Sequence, residues 1–200
     1  MKILLEDHAH YDHAGGLAEL KRVTHAKLFA SAADAPILTR GGKDDPQFGD
    51  SLTMPSVEVD HLLRDGEPIT LGGTTLVTHL TPGHTAGATS WTMRTAGLDV
   101  VFATSLSSPD PFRLVNNEKY PDVASDYRRT FAIMRTLPCD VFLSSHGSAF
   151  RLEEKSEKLR RGAKPNPFID PQGYRLYISS NEDAFNEKLK EQSAALANNP

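Results

Sequence analysis

The stretch His-Ala-His-Tyr-Asp-His at residues 8–13 gathers three imidazoles and one carboxylate within six positions. The segment 2–5 before it is apolar and reads as a short buried strand, and the segment 15–22 after it opens a helix behind a glycine pair. The stretch therefore lies on a predicted strand-to-helix loop. Side chains of this kind would repel one another when protonated and have little structural use together, so the cluster predicts a metal site.

The spacing within the stretch suits more than one ion. Zinc takes imidazole nitrogen and carboxylate oxygen at about 2.0–2.2 Å, and a catalytic zinc keeps about three protein ligands and one open position. His8 and His10 are two positions apart, so on an extended backbone both can point to one ion. Asp12 and His13 lie past a bend and can face a neighbouring ion. Each pair then needs one more ligand.

Two isolated histidines further along the chain have suitable surroundings. His84 follows a Pro-Gly turn after an apolar run, and His146 ends the strand-like run 140–145. Both stand at predicted strand ends, where functional residues are commonly found. We therefore predict that His84 and His146 complete the metal ligands.

The remaining chain alternates between the two types of secondary structure. Predicted strands lie near residues 2–5, 27–30, 57–63, 68–71, 74–80, 87–94, 99–104 and 140–145, and predicted helices near 15–23, 31–39, 124–137, 152–161 and 171–196. This alternation predicts an α/β layered fold. No internal repeat or domain boundary is visible in the sequence, so we expect one domain over residues 1–200.

Composition narrows the classes of partner. The formal charge of −4 and the pI near 6.0 give no basic surface for nucleic acid, so we expect a small-molecule substrate and no nucleic-acid partner. No apolar stretch approaches the roughly 18 residues that a membrane span needs. Residues 1–6 are too short and too acidic for a signal peptide. The oligomeric state stays open.

The motifs together resemble the metallo-β-lactamase superfamily. The resemblance rests on the stretch 8–17 (HAHYDHAGGL), the stretch 81–91 (TPGHTAGATSW) and His146. After the strand near 99–104 the chain continues Ser-Leu-Ser-Ser-Pro at 105–109. Members that resemble glyoxalase II, lactonases or phosphodiesterases carry a metal-bridging aspartate here, and another lactamase subclass carries a cysteine ligand. This chain has neither, and is similar to the third subclass of class B β-lactamases, whose two zinc ions use histidine and aspartate only.

That resemblance implies an αββα four-layer sandwich and a role for each candidate residue. The first zinc would be held by His8, His10 and His84, and the second by Asp12, His13 and His146. Ser105 would orient water near the second zinc, and Ser107 would contact the substrate carboxylate. Asp12 would also be catalytic, because it would aim a metal-bridging hydroxide at the lactam carbonyl.

The implied activity is zinc-dependent hydrolysis of the β-lactam amide bond, and hence antibiotic resistance, in a periplasmic or secreted protein. Two alternatives remain. One is another metallo-hydrolase of the same fold, acting on a lactone, thioester or phosphoester, because chemistry is set by the site rather than by the scaffold. The other is an inactive truncated fragment.

Two features depart from the family pattern. In the members that the chain resembles, the histidine-rich loop follows a complete N-terminal sheet layer, whereas here it begins at residue 8. We therefore expect the first strands of the sandwich to be absent, which would leave a sheet edge unpaired and apolar faces uncovered. The second departure is Asp7, where members usually have threonine, serine or asparagine. It adds negative charge beside the metal ligands, with an effect on rate whose sign stays open.

Overall fold

The computed structural model describes residues 1–197 of the chain. Within these residues the strands are β1 (Ile3–Leu5), β2 (Lys27–Ser31), β3 (His61–Leu63), β4 (Pro68–Leu71), β5 (Thr74–Leu80), β6 (Thr89–Thr95), β7 (Leu98–Ala103) and β8 (Val141–Ser144). The helices are α1 (Tyr11–Ala14), α2 (Leu17–Thr24), α3 (Ala35–Thr39), α4 (Val123–Thr136), α5 (Leu152–Arg160) and α6 (Pro171–Ala197), and a 3₁₀ turn covers Gly147–Phe150.

The strands form two sheets. The first is parallel, in the order β1-β2-β3, and Leu4 of β1 lies opposite Leu28 of β2. The second has the order β4-β5-β6-β7-β8, and its pairs are antiparallel except for β7 and β8, which run parallel. The long connection between these two parallel strands contains α4, as a parallel pair requires a crossover.

The alternation of side chains along the strands stacks these sheets face to face. In β1, Leu4 packs against α1, α2 and α3, whereas Ile3 and Leu5 point to the opposite face. In β7, Val101 packs against α4 and α6, whereas Phe102 points away from them. The residues that point away from the helices form one cluster between the sheets: Ile3, Leu5, Phe29, Leu63, Ile69, Leu76, Trp91 and Phe102. The order of layers is therefore helix, sheet, sheet, helix, and the predicted α/β layered fold is confirmed.

Helix α4 shows how the sequence sets one outer layer. Tyr127, Thr130, Phe131 and Met134 follow the i, i+3, i+4, i+7 spacing, and all four side chains are buried. Their common face packs on Phe142 of β8 and on helix α6 within one cluster. This apolar spacing therefore forms the surface that attaches the helix to the second sheet.

Three local predictions are wrong in their bounds. The strand predicted near 57–63 pairs only over His61–Leu63, because the carboxylate of Asp60 accepts the hydrogen bond from Leu28 N at 2.7 Å in place of a backbone carbonyl. The helix predicted from residue 31 begins at Ala35, because Ser31 Oγ accepts a hydrogen bond from Asp34 N and forms a turn first. The loop predicted at 8–14 contains α1, so Asp12 and His13 lie on one helical turn.

Among the helices of residues 1–197, none is long and apolar enough to cross a membrane.

Candidate metal centre

Four chain segments meet at one end of the two sheets. The loop after β1 carries His8, His10 and His13, the loop after β5 carries His84, and the loop after β8 carries His146. The segment after β7 adds residues 104–109. Thr89 N at the start of β6 donates a hydrogen bond of 2.8 Å to the backbone carbonyl of Asp7, which fixes the first of these loops on the second sheet.

The first ligand group consists of His8, His10 and His84, which are 0 %, 5 % and 8 % exposed. Nδ1 of His10 lies 3.2 Å from Nε2 of His84, and the three ring centroids are 4.6 to 4.9 Å apart. Nε2 of His8 is buried and, within the described part of the chain, has no hydrogen-bond partner. One ring nitrogen of each histidine is thus available to a common point in a dry environment.

The opposite ring atoms of His8 and His84 have partners that orient these two rings. His84 Nδ1 donates to the backbone carbonyl of Ser107 at 2.7 Å, which leaves its Nε2 unprotonated for a ligand. His8 Nδ1 lies 2.9 Å from a carboxylate oxygen of Asp7. Nε2 of His10 faces Asp45 Oδ2 at 3.7 Å. Each ring therefore has a defined face toward the centre.

The second group consists of Asp12, His13 and His146 and lies nearer to solvent. His13 Nε2 is 3.1 Å from His146 Nε2 and 3.2 Å from Asp12 Oδ2, and His146 Nε2 is 3.6 Å from the same carboxylate oxygen. The side chains of Asp12 and His146 are 56 % and 52 % exposed, whereas His13 is 9 % exposed. This group is accessible to a substrate where the first group is enclosed.

Asp34 holds the loop of the first group in place. Its buried carboxylate accepts hydrogen bonds from Ala9 N at 2.9 Å, Thr85 Oγ1 at 2.8 Å and Gly87 N at 3.0 Å. Ala9 lies between His8 and His10, and Thr85 follows His84, so one side chain connects both ligand-bearing loops. Burial raises the pKa of Asp34 to about 6, although its hydrogen bonds oppose that rise.

Two glycines allow the His84 loop to approach its neighbours. Gly83 has φ +139°, and a Cβ there would come within 2.8 Å of the ring of Tyr127 on α4. A Cβ at Gly87 would overlap Ser31 Oγ and come within 2.5 Å of Asp34 Oδ1. Glycine at these positions is therefore a condition for the placement of His84.

The electrostatics favour neutral imidazoles in the first group. Burial, together with the neighbouring His8, lowers the pKa of His10 to about 3 and holds that of His84 well below its usual value. At neutral pH both rings are therefore in the uncharged form that binds metals. Burial of Asp7 opposes its ionisation, yet contacts with His13 and His8 hold its pKa well below the usual range.

The six side chains fit a pair of metal ions. In each group the candidate ligand atoms lie within 4.8 Å of one another. The first group offers three nitrogens and the second offers two nitrogens and one carboxylate oxygen, which is a donor set that suits zinc. The structure thus brings together the six residues that the sequence singled out, and their role as ligands stays a prediction.

The two predicted serines differ in position. Ser107 is exposed and lines a cleft of about 330 Å³ above both groups, together with His10, Asp12 and His84. Ser105 is 4 % exposed and is not among the residues that line this cleft; its Oγ has no hydrogen-bond partner among residues 1–197. The roles given to both serines stay predictions.

Sequence reasoning missed several contributors to this site. Phe48 and Leu52, from the turn-rich segment between α3 and β3, form an apolar wall of the cleft. Asp34 and Asp45 were not singled out, because an isolated aspartate in a polar loop reads as turn chemistry. The only sign of Asp34 in the sequence was indirect. Glycine at position 87 leaves space for another side chain, and in the structure the side chain of Asp34 fills it.

Comparison with known proteins identifies a family. Residues 8–146 match the family model described as the metallo-beta-lactamase superfamily. Over 97% of its length the chain is similar to a HARLDQ-motif mutant of the metallo-beta-lactamase from Cronobacter sakazakii, at 42% identity and a TM-score of 0.92, covering 77% of that protein. It is similar over 98% of its length to BJP-1, a subclass B3 metallo-beta-lactamase of Bradyrhizobium japonicum, at 38% identity and a TM-score of 0.89, covering 75% of that protein.

A curated relative has a different activity in its name. Over 84 residues, 42% of this chain, the sequence is 34% identical to a hydroxyacylglutathione hydrolase from Pseudomonas savastanoi pv. phaseolicola. The aligned part spans only 25% of the length of that enzyme.

Proposed function

Because this chain belongs to the metallo-beta-lactamase superfamily, we propose that it hydrolyses the amide bond of β-lactams with the help of two zinc ions. The family model and the structural neighbours support a metal-dependent hydrolase. The step from this class to β-lactams as substrates, and to zinc as the metal, is our proposal. The high similarity to subclass B3 enzymes over nearly the whole chain favours it.

The observation that carries the proposal is the arrangement of two ligand groups beneath one open cleft. His8, His10 and His84 would hold the first zinc, and Asp12, His13 and His146 would hold the second. Bound zinc ions supply a Lewis acid and bring the pKa of water near neutrality, so that hydroxide is available without a protein nucleophile. No covalent intermediate with the enzyme is required.

The side chains of the chain do the remaining work. Asp12 is exposed toward the cleft, so its carboxylate can accept a hydrogen bond from the attacking water and orient it as well as bind metal. The neutral imidazoles of His10 and His84 avoid repulsion of the cations. Phe48 and Leu52 cover one side of the cleft, where they exclude water from a bound substrate. Ser107 at the rim would contact the substrate carboxylate.

Thioester hydrolysis is the second candidate, and the local likeness to a hydroxyacylglutathione hydrolase favours it. Against it stands the segment 104–109, Thr-Ser-Leu-Ser-Ser-Pro, which lacks the bridging aspartate expected in such members after this strand. A lactone or phosphoester substrate meets the same objection. We therefore rank β-lactams first.

A substrate panel tests the proposal. Purified protein loaded with zinc should turn over the chromogenic cephalosporin nitrocefin faster than an acyl lactone or a glutathione thioester. The variant His84→Ala should abolish this turnover, whereas His25→Asn should leave it unchanged. His25 is an exposed histidine in the left-handed region with φ 54°, a conformation that asparagine tolerates. Turnover of the thioester alone would favour the second candidate.

Metal analysis tests the division of ligands. We expect about two zinc ions per chain, with Asp12→Asn weakening mainly the exposed group and His84→Ala mainly the buried one. The reason is that each substitution removes a ligand from one group only. Equal loss of both ions in each variant would contradict the assignment.

We also propose a periplasmic or secreted location and a role in antibiotic resistance, which rest on the family resemblance alone. Bacterial cells that express the chain with an export signal should then survive higher concentrations of a β-lactam than cells that express His84→Ala.

A further inference from the structure

Asp7 contacts both ligand groups through a single carboxylate. Its Oδ2 lies 2.9 Å from Nδ1 of His8, which belongs to the buried group. Its Oδ1 lies 3.3 Å from Nδ1 of His13, which belongs to the exposed group. The side chain is only 18 % exposed, so solvent competes weakly for these contacts.

The same carboxylate accepts hydrogen bonds from two hydroxyl groups of the second sheet. Ser145 Oγ donates to Oδ2 of Asp7 at 2.5 Å, and Thr104 Oγ1 donates to the same oxygen at 3.3 Å. Ser145 directly precedes His146, and Thr104 follows β7. Asp7 therefore joins the loop after β1 to the two segments of the second sheet that border the site.

We propose that Asp7 is a shared positioning residue that fixes one histidine of each ligand group in the Nδ1-protonated tautomer, so that Nε2 of both rings points to the metal sites. This inference rests on the proposed metal centre. When a metal is bound at Nε2, the ring proton stays on Nδ1, and a carboxylate that accepts a hydrogen bond from this Nδ1–H fixes the orientation of the ring. For His13 this Nε2 is the atom beside His146 and Asp12. For His8 it is the buried Nε2 in the first group.

The chemistry of a carboxylate suits this role. A hydroxyl or an amide oxygen at position 7 could accept one such contact well. A carboxylate offers two oxygens with about four acceptor positions, and so can serve both rings and both hydroxyls at once. Asp7 thus couples the two sites, and its loss should affect both.

The substitution Asp7→Asn tests the proposal, with Asp65→Asn as a matched control. Asp65 is exposed on the loop between β3 and β4, where it accepts a hydrogen bond from Leu80 N at the end of β5 and contacts neither His8 nor His13. The first readout is the tautomer of His8 and His13 in zinc-loaded protein, from long-range ¹⁵N-¹H correlations of ¹⁵N-histidine-labelled samples. We expect the Nδ1-protonated form for both rings in the native chain and in Asp65→Asn, and a mixture in Asp7→Asn.

The second readout is zinc affinity, measured by competition with a chromogenic chelator. We expect Asp7→Asn to weaken both ions by roughly 10- to 100-fold while two ions still bind at saturation. Asp7, His8 and His13 also lie within 4.8 Å of one another, so a direct ligand role is the competing explanation. A third bound ion that Asp7→Asn removes, a loss confined to one ion, or unchanged tautomers in the folded variant would each overturn the proposal.

A thermal melt of the metal-free variant separates misfolding from mispositioning. If Asp7→Asn fails to fold, Asp7→Ser, which keeps a single hydroxyl acceptor, replaces it in both measurements with the same expected results. The tautomer measurement needs zinc but no substrate. Failure of the proposed hydrolysis would therefore leave this readout intact, and its own failure would leave the hydrolysis proposal standing.

Discussion

Gly87→Ala should damage the His84 loop by steric overlap and not by backbone strain. Gly87 has no positive φ, so alanine can adopt its backbone conformation. The added methyl group, however, would overlap Ser31 Oγ and come within 2.5 Å of Asp34 Oδ1. Asp34 has to move away, and with it go the hydrogen bonds that it accepts from Gly87 N and Thr85 Oγ1.

The cost has two parts. Overpacking a well-packed interior costs about 1–3 kcal/mol. A buried donor that loses its partner adds about 1–3 kcal/mol. We therefore expect the free energy of unfolding to fall by about 2–5 kcal/mol in sum, because relaxation of one term relieves part of the other. A shift of the His84 loop by about 1 Å should also lower hydrolysis on the order of 10²-fold.

Urea unfolding of the metal-free protein, followed by circular dichroism, measures the first effect, and nitrocefin turnover by the zinc-loaded protein measures the second. Gly16→Ala is the matched control, because no described heavy atom lies within 4 Å of a Cβ built there and its φ of −91° suits alanine. Gly16→Ala should change stability by less than about 1 kcal/mol, because the weaker N-cap preference of alanine and the lower entropy of its unfolded chain act in opposite directions. If Gly87→Ala proved as stable as Gly16→Ala, the account of Asp34 as the connection between the two loops would be refuted.

Three further changes have expected outcomes. Glu6 is 2 % exposed, neither carboxylate oxygen has a partner in the region that the structure covers, and burial, followed by repulsion from Asp34, raises its pKa. Glu6→Leu should therefore stabilise the metal-free protein by on the order of 1–3 kcal/mol at pH 7. In urea titrations this gain should shrink as the pH falls toward 4.5, because the carboxyl group then becomes protonated. Partial burial opposes ionisation of Asp170, yet the contact with Lys155 at 2.8 Å and its other partners lower its pKa from 3.8 to about 2. Asp170 therefore contributes stability above pH 4 that is lost between about pH 4 and 2. Asp170→Asn should lower the free energy of unfolding by about 1–2 kcal/mol after solvent screening, and should make stability depend less on pH in this acid range. Phe48→Ala removes an apolar wall of the cleft and should raise KM for nitrocefin about tenfold in steady-state assays, which corresponds to about 1.4 kcal/mol of lost binding. The kcat and the zinc content should stay nearly unchanged.

The sequence predicted most where a periodic pattern or a dense cluster carried the information. Helix α4 follows from its apolar spacing, and β5 was predicted with the bounds Thr74–Leu80 that the structure has. The ligand cluster at 8–13 and the two strand-end histidines were visible because few other roles need such residues. These features depend on local chain geometry, which can be predicted from the spacing of residues in the sequence.

What the sequence did not predict depends on contacts between distant segments. Asp34 acts on residues 9, 85 and 87, and nothing near it in the chain reveals those partners. Helix α1 is a single turn, too short for a periodicity to develop. The unequal exposure of the two ligand groups is likewise a property of packing: His84 lies beneath the loop that carries Ser107, whereas His146 stands at the rim.

Stepwise addition of zinc to metal-free protein, with nitrocefin turnover followed at each step, tests whether the protein hydrolyses β-lactams with two zinc ions. The account predicts no turnover without metal, and turnover that rises until about two ions are bound per chain and then stays constant. It also predicts that His84→Ala removes this response, while His25→Asn retains it. A folded protein that binds two zinc ions and still leaves nitrocefin and other β-lactams intact would contradict the account.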